Sequence, residues 1–262
     1  MPSLQEATAL LEQSLRTRRS LLGRTRTGVT RESLTRLAKM LSPQLSQISN
    51  LKSKIPREAR LAELREAVSI CHKCEHLAAS RTQTVFGTGN PTADLMFVGE
   101  APGAEEDKQG EPFVGRAGEL LTKIINAMGL TRDDVYIANV LKCRPDMPPN
   151  TPGNRPPTPL EMQRCLPYLR EQITIIQPRV LVALGKTAMA GLTGADQSMS
   201  AMRGRWHEFE NIPLLPTYHP SYLLRNGSNT EKRKVWEDML LVMEKLGLPI
   251  SEKQRGFFRS AS

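Results

Sequence analysis

Hydrophobic positions after Cys71 fall into two alternating patterns. Four short, nearly continuous apolar runs predict buried strands, at 94–99, 135–141, 179–184 and 212–217. Apolar residues at helical spacing between these runs predict helices, at about 117–128, 159–176, 186–192 and 230–246. Short buried strands that alternate with helices indicate an α/β fold, in which helices cover both faces of a parallel sheet.

The two ends of the chain have different patterns. Residues 1–20 carry apolar side chains at helical spacing, whereas residues 21–57 lose this spacing and are rich in Arg, Thr, Ser and Gln. We expect a helix followed by a flexible linker, with a short helix near 31–41. Residues 57–70 predict a helix that leads into the first cysteine. The predicted organisation is a basic extension, partly helical or disordered (1–57), a main domain (58–248) and a loose tail (249–262).

Composition excludes several classes of protein. Of 262 residues, 39% are hydrophobic and 24% are charged, which is typical of a globular protein. No apolar run approaches the ~18 residues that span a membrane, and the first residues lack the basic start and apolar run of a secretory signal. Four cysteines are too few for a small disulfide-stapled scaffold. We therefore expect a cytoplasmic protein without membrane contact.

The positive charge is concentrated near the N-terminus. The net charge is +9, and residues 1–60 hold 12 Lys/Arg against 4 Asp/Glu. A basic arm favours a polyanionic partner, most often a nucleic acid. A solvated extension without a partner has the same composition, so composition alone leaves both interpretations open.

Unusual residues follow the predicted strands. Gly99-Glu100-Ala101-Pro102-Gly103 comes directly after the first strand, Asn139 lies near the end of the second, and His219 follows the last. Ligands of open α/β sheets bind beyond the carboxyl ends of the strands. The sequence therefore predicts one site at this edge of the sheet.

The cysteines have the spacing of a metal site. Cys71 and Cys74 form a C-x2-C pair, and Cys143 and Cys165 would complete a set of four thiolates. Zinc and a four-iron cluster both accept four thiolates. Lys73 and Arg144 lie beside ligand positions and would balance the thiolate charge. The alternatives are a redox C-x2-C pair or thiols that are merely buried.

Several side chains near this edge each allow two interpretations. Glu105, Glu106 and Asp107 could position a water or bind a cation, or could form the first turn of a helix. Phe113 could face a planar ligand or belong to the core. His219 could be a catalytic donor or a hydrogen-bonded loop residue.

The segment after His219 also allows two interpretations. Leu223 and Leu224 stand side by side and are followed by Arg225. Two leucines beside an arginine could form a wedge for a base stack together with a phosphate contact. They could equally be the first turn of a packed helix.

Taken together, the motifs resemble the family 4 uracil-DNA glycosylases, the iron–sulfur type. The matching segments, in chain order, are Cys71-x-x-Cys74, FGTGNP (86–91), GEAPGAEED (99–107), GEPFVGRAGELL (110–121), YIANVLKCRP (136–145), NRPPTP (154–159) with Cys165, VALGKTA (182–188), RGRWHE (203–208) and TYHPSYLLRN (217–226). Each segment alone is a weak signal, but the ordered set is specific and covers about 68–246. The first 60 or so residues lie outside the resemblance.

The resemblance implies an α/β/α sandwich with a four-stranded parallel sheet and a [4Fe–4S] cluster. The cluster ligands would be Cys71, Cys74, Cys143 and Cys165. It also implies that the protein takes uracil out of DNA and hydrolyses its bond to deoxyribose, leaving an abasic site. We expect a monomer that acts on uracil-containing DNA, with the basic arm on DNA phosphates.

The resemblance also implies roles for individual residues. Phe113 would stack on the extruded base, and the amide of Asn139 would read its Watson–Crick edge. His219 would stabilise the departing uracil anion together with the turn that carries Ala101 and Gly103. The other implied residues are Glu100 and Glu106 in catalysis, and Ser221, Leu223, Leu224 and Arg225 on the DNA.

Two departures qualify the resemblance. Glu100-Ala101 occupies the place of the aspartate that holds the attacking water in the best-known uracil glycosylases, as in the family 4 pattern. The stretch 146–153 lengthens the segment between Cys143 and Cys165, and it contains no histidine that could bond covalently to DNA. We therefore expect turnover. The alternatives are a zinc-stapled nucleic-acid-binding protein without catalysis and a glycosylase for another damaged base.

Overall fold

The computed structural model of the chain describes residues 55–148, 151 and 153–259. The chain divides into two compact units, Met1–Pro56 and Arg57–Ser262, and the description below concerns the second. The helices expected over 1–20 and near 31–41, and nearly all of the linker expected between them and Arg57, lie outside the described residues.

A six-stranded sheet forms the middle of the domain, in the order β1-β3-β2-β4-β6-β5. The strands are β1 (Thr88–Gly89), β2 (Leu95–Gly99), β3 (Tyr136–Asn139), β4 (Val180–Leu184), β5 (His207–Phe209) and β6 (Ile212–Thr217). The four central strands, β3, β2, β4 and β6, are parallel and are the four that the sequence predicts. The short edge strands β1 and β5 are antiparallel. The sheet therefore has two more strands than the expected four. Strands β1 and β5 were missed because they are too short to show alternating apolar and polar residues.

Helices cover both faces of the sheet. They are α1 (Arg57–Ser69), α2 (Glu75–Ser80), α3 (Ala104–Gln109), α4 (Arg116–Ala127), α5 (Pro159–Ile176), α6 (Lys186–Thr193), α7 (Met199–Met202), α8 (Pro220–Arg225), α9 (Asn229–Leu246) and α10 (Glu252–Gly256). Helices α1, α5 and α6 pack on one face, where Met96 and Val98 of β2 point. Helices α4 and α9 pack on the other face, against Leu95 and Phe97. Alternate residues of one strand thus enter two cores, which confirms the three-layer α/β/α sandwich.

Helix α5 has clear start and stop signals. The hydroxyl of Thr158 accepts the backbone N–H of Glu161, whose carboxylate accepts the backbone N–H of Thr158, and Pro159 follows in the first turn. The helix ends at Ile176 and is capped by Gln177, which has a left-handed φ of 54°. These signals determine the bounds of the helix that carries Cys165.

The C-terminal segment differs from the expected loose tail. Helix α10 packs on α9: the indole of Trp236 donates to the carbonyl of Gln254, and its ring contacts Phe257. The guanidinium of Arg233 donates to the carbonyls of Arg255 and Phe257. The apolar residues here were too few for a sequence pattern to predict this packing.

No helix in the described ranges combines the length and the apolar composition needed to cross a bilayer.

Candidate active site and cysteine cluster

A cavity of about 370 Å³ opens at the carboxyl ends of β2, β3 and β6. It is lined by Glu100, Ala101, Pro102, Gly103, Glu106, Phe113, Ala117, Asn139, Asn154, Arg155, His219, Ser221 and Arg225. The structure therefore brings together nine of the candidate residues from four separate segments of the chain. Leu223, Leu224 and the cysteines are not part of this lining.

Phe113 and Asn139 line the cavity, and Gly99 lies directly beside both side chains. Asn139 is buried, and within the described residues its Oδ1 atom has no hydrogen-bond partner. A Cβ atom on Gly99 would lie 2.2 Å from this Oδ1 and 2.7 Å from Cζ of Phe113. Only glycine therefore leaves room for both side chains. An unpaired buried acceptor costs about 1–3 kcal/mol, so this atom is suited to receive a donor from a ligand.

Phe113 has an unusual backbone conformation. Its φ is 56°, in the left-handed region that a bulky residue seldom occupies. The ring is buried, and its centroid lies 5.6 Å from that of His219, with 34° between the planes. Strain of this kind costs about 1–3 kcal/mol and persists only where the surroundings enforce it.

The imidazole of His219 is fixed by the residue two positions later. Its Nδ1 accepts the backbone N–H of Ser221 at 3.1 Å and lies 2.8 Å from the Ser221 hydroxyl. Burial lowers the pKa of His219, with Glu100 acting to raise it and Arg225 acting to lower it. The neutral imidazole therefore carries its proton on Nε2, because Nδ1 is already an acceptor. The cavity is thus lined by a neutral N–H donor.

The acidic residues after Gly103 occupy different environments. The carboxylate of Glu106 accepts the backbone N–H groups of Gly103 and Gly115, at 3.1 and 3.3 Å. Asp107 is buried and accepts the backbone N–H of Thr82, while Glu105 is exposed and pairs with a lysine of its own helix. The three acids form the first turn of α3, and only Glu106 among them borders the cavity.

The two adjacent leucines of α8 point in different directions. Leu223 is buried, at 6% exposure, whereas Leu224 is 42% exposed. Leu223 thus belongs to the packed side of the helix and Leu224 to its accessible side, and the wedge role stays a prediction. Arg225 is exposed beside it and borders the cavity.

The four cysteines lie together. They line one small cavity with Lys73, Arg81, Leu141 and Arg164, and all four are free thiols. Arg81 donates to Sγ of Cys143, and the backbone N–H of Lys142 donates to Sγ of Cys165, both at 3.2 Å. Burial raises the pKa of Cys74 and Cys143, and that of Cys165 to about 12.

This donor set fits a metal centre. Four sulfur atoms with N–H donors and nearby cations are the environment in which a metal holds thiolates. Lys73 borders the site as expected, but Arg144 does not: it donates to Asn154 and to the carbonyl of Gly153. Arg81 and Arg164 take the place expected for Arg144. Arg164 directly precedes Cys165, so the reasoning that singled out Lys73 and Arg144 could also have found it, whereas Arg81 reaches Cys143 from a distant part of the sequence.

A second cluster of polar side chains surrounds the guanidinium of Arg155. Oxygen and nitrogen atoms of His76, Asp146 and Glu161 lie within 4.8 Å of one another. The guanidinium of Arg155 bonds both carboxylates and supplies the positive charge there. Although burial opposes it, bonding from Arg155 and His76 lowers the pKa of Glu161 to about 2.

Arg155 and its neighbour Asn154 also line the main cavity. The sequence marked their segment, NRPPTP, but gave neither residue a role.

Comparisons with known proteins show which family the chain resembles. The pattern of the Uracil DNA glycosylase superfamily matches residues 86–240. The chain is 47% identical over 187 residues to the Type-4 uracil-DNA glycosylase of Thermotoga maritima, covering 70% of this chain and 93% of that protein. It is 43% identical over 169 residues to the Archaeoglobus fulgidus Type-4 enzyme, covering 62% and 81%. A Type-5 uracil-DNA glycosylase of Pyrobaculum aerophilum is 32% identical over 152 residues, covering 52% and 64%.

The fold, the cavity and these matches define the class: the chain belongs to the uracil DNA glycosylase superfamily. Its relatives place it, within that superfamily, among the type-4 uracil-DNA glycosylases. The family resemblance stated from the motifs is thereby confirmed.

Proposed function

We propose that this protein is a monofunctional uracil-DNA glycosylase of base excision repair. It extrudes uracil from DNA and hydrolyses the bond between the base and deoxyribose, which leaves an abasic site. Family membership and the converging cavity residues support this activity. The observation that carries the proposal is the buried Oδ1 of Asn139, which has no partner among the described residues and lies beside the Phe113 ring.

Base selection follows from the amide of Asn139. Uracil offers a donor at N3 and an acceptor at O4, and an amide can accept from one and donate to the other. Cytosine presents the opposite pattern at these two atoms. One fixed amide therefore discriminates between the two bases, while the ring of Phe113 holds the base plane by stacking.

Departure of the base follows from His219. As the bond breaks, positive charge develops on the sugar and negative charge on uracil. The Nε2–H group of His219 and backbone N–H groups of the Glu100–Gly103 turn stabilise the anion. Ser221 contributes by donating to Nδ1, which keeps the imidazole proton on Nε2.

The carboxylates of Glu100 and Glu106 have different roles in the proposed reaction. Glu100 borders the cavity close enough to His219 to affect its pKa, and it orients the attacking water. Glu106 holds the turn before α3 and the turn before α4, because its oxygens bind Gly103 and Gly115. Ala101 and Gly103 then contact the base through their backbone.

The DNA strand is held at the rim of the cavity. Exposed Leu224 fills the space that the extruded base leaves, and Arg225 contacts a phosphate. The basic residues before Arg57 contact further phosphates, and Arg57 itself belongs to α1. We infer a cytoplasmic monomer, and turnover without covalent trapping because residues 146–153 contain no histidine. A DNA adduct that persists on a denaturing gel would contradict turnover.

The cysteine site holds a [4Fe–4S] cluster on Cys71, Cys74, Cys143 and Cys165. When bound, such a cluster would cross-link three segments of the chain and need not touch the substrate. We expect about four irons per chain by metal analysis of the purified protein. One zinc per chain with no base release would instead support the non-catalytic nucleic-acid-binding alternative.

Excision from synthetic oligonucleotides with excess enzyme tests the function. The wild type should release uracil and leave cytosine in place. Asn139→Asp replaces the amide donor with a second acceptor, so it should slow uracil release by about tenfold or more and narrow the preference over cytosine. Asn126→Asp adds the same charge at an exposed position outside the cavity lining and should change neither rate. A wild type that releases no uracil would refute the proposal.

A further inference from the structure

We propose that Arg132 is a positioning residue that holds the ring of Phe113 against the extruded base. The inference rests on the proposed function, because it concerns the same cavity. Arg132 lies in the turn between α4 and β3 and is absent from the cavity lining. Its effect must therefore pass through the backbone of the Phe113 segment.

The contacts of Arg132 form a clamp on two successive carbonyls. One terminal nitrogen donates to the carbonyl of Pro112 at 2.9 Å, and the other donates to the carbonyl of Phe113 at 3.2 Å. The second nitrogen also lies 3.3 Å from the hydroxyl of Thr122 on α4. A planar guanidinium can hold two carbonyls in one orientation, which a point charge cannot do.

The clamp acts where the backbone needs support. Phe113 has a φ of 56°, so its peptide is held in a conformation that a bulky side chain disfavours. Helix α4 comes so close to the Phe113 peptide that a Cβ atom on Gly118 would lie 1.8 Å from the Phe113 carbonyl oxygen. Gly118 provides the space for this peptide, and Arg132 supplies the bonds that keep it there.

The ring position is the consequence of that backbone conformation. If φ of Phe113 returned to the usual negative region, Cβ would move and the ring would leave its place beside Asn139 and His219. Burial of Arg132 lowers its pKa, but Glu111 and Asp133 oppose this effect, and an arginine keeps its charge in proteins. The clamp is therefore present over the whole working pH range.

A double-mutant cycle tests whether Arg132 acts through Phe113. Arg132→Met keeps an unbranched apolar stem and removes both bonds to carbonyls. Under single-turnover conditions, we expect the maximal excision rate to fall by about tenfold, since base–aromatic stacking is worth about 1–3 kcal/mol. The enzyme concentration at half-maximal rate should stay within about twofold, because contacts to the DNA backbone determine it.

The second arm of the cycle uses Phe113→Gly. Glycine adopts a positive φ without strain and has no ring to position. In this background, Arg132→Met should lower the rate by less than about twofold, because the two changes disable one element. Additive effects in the cycle would overturn the inference while leaving uracil excision by the wild type, and so the proposed function, intact.

A matched control separates positioning from folding. Arg233 is another arginine that donates to two carbonyls, those of Arg255 and Phe257, and it does not line the cavity. Arg233→Met should lower the thermal midpoint as Arg132→Met does but leave the excision rate unchanged. If Arg132→Met does not fold, Arg132→Lys, which replaces the two-nitrogen fork with a single ammonium group, should give an intermediate rate. A wild-type rate in Arg132→Lys would refute the two-carbonyl clamp.

Discussion

At the residue scale, the proposed base site depends on Gly99, which has no side chain to contact the base. Gly99 ends β2, where any Cβ atom would overlap Oδ1 of Asn139 and the ring of Phe113. Both side chains are buried, so neither can retreat into solvent. The proposed base site is thus fixed by the absence of a side chain as much as by the side chains present.

We predict that Gly99→Ala lowers the uracil excision rate by about tenfold or more while the protein still folds. The added methyl group displaces the amide, the ring or both, and a misplacement of about 1 Å can cost a hundredfold in rate. The measurement is single-turnover excision together with circular dichroism. Gly256→Ala is the control, since a Cβ atom there would meet nothing within 4 Å. Equal rates for both variants would show that Asn139 and Phe113 are not the base site.

Reasoning from the residues alone could bring site residues together only where they lie at the ends of predicted strands. Asn139 and His219 stand at strand ends, so the rule for parallel sheets was enough to bring them together. Asn154 and Arg155 reach the cavity from an irregular segment, and no periodic pattern predicts where such a segment folds. Leu223 and Leu224 could not be told apart, because the boundary of a six-residue helix decides which of them is buried.

At the element scale, the central strands and long helices were predictable because each buries a continuous apolar face. The edge strands and α10 were not predictable, because they hold two, three and five residues and depend on tertiary contacts. One such contact joins α9 to the end of β6. Asp238 is fully buried and accepts hydrogen bonds from Arg203 and from the hydroxyl of Thr217.

We predict that Asp238→Asn lowers the free energy of unfolding by about 1–3 kcal/mol at pH 8, because Arg203 and Thr217 lose a charged acceptor. Burial raises the pKa of Asp238 to about 6, so at pH 8 the carboxylate is ionised and pairs with Arg203, but its ionisation costs part of the stability that the pair provides. The substitution leaves this half-buried guanidinium without its counter-charge. Asp94→Asn removes an exposed pair with Arg179 and should cost no more than about 1 kcal/mol. Similar losses in urea unfolding of the two variants would contradict the prediction.

At the scale of the whole molecule, positive charge and chemistry occupy different parts of the chain. Residues 1–56 hold ten Lys/Arg and three Asp/Glu. The proposed catalytic residues and the four cysteines all lie at Cys71 or after it. Helix α1 begins at Arg57, whose guanidinium donates to Ile176 and Gln177 at the end of α5. A truncation should therefore keep Arg57 and remove only the residues before it.

We predict that deletion of residues 1–56 weakens DNA binding and leaves bond breakage intact. If about four of the arm's cations meet phosphates, the slope of log affinity against log salt should become shallower by about 3–4 units. The affinity loss should thus be largest at low salt, while the single-turnover excision rate at saturating enzyme stays unchanged. A full-length variant whose ten Lys/Arg before Arg57 are Gln should match the deletion, which separates charge from chain length. Equal salt slopes for all three proteins would show that the arm does not contact the DNA backbone.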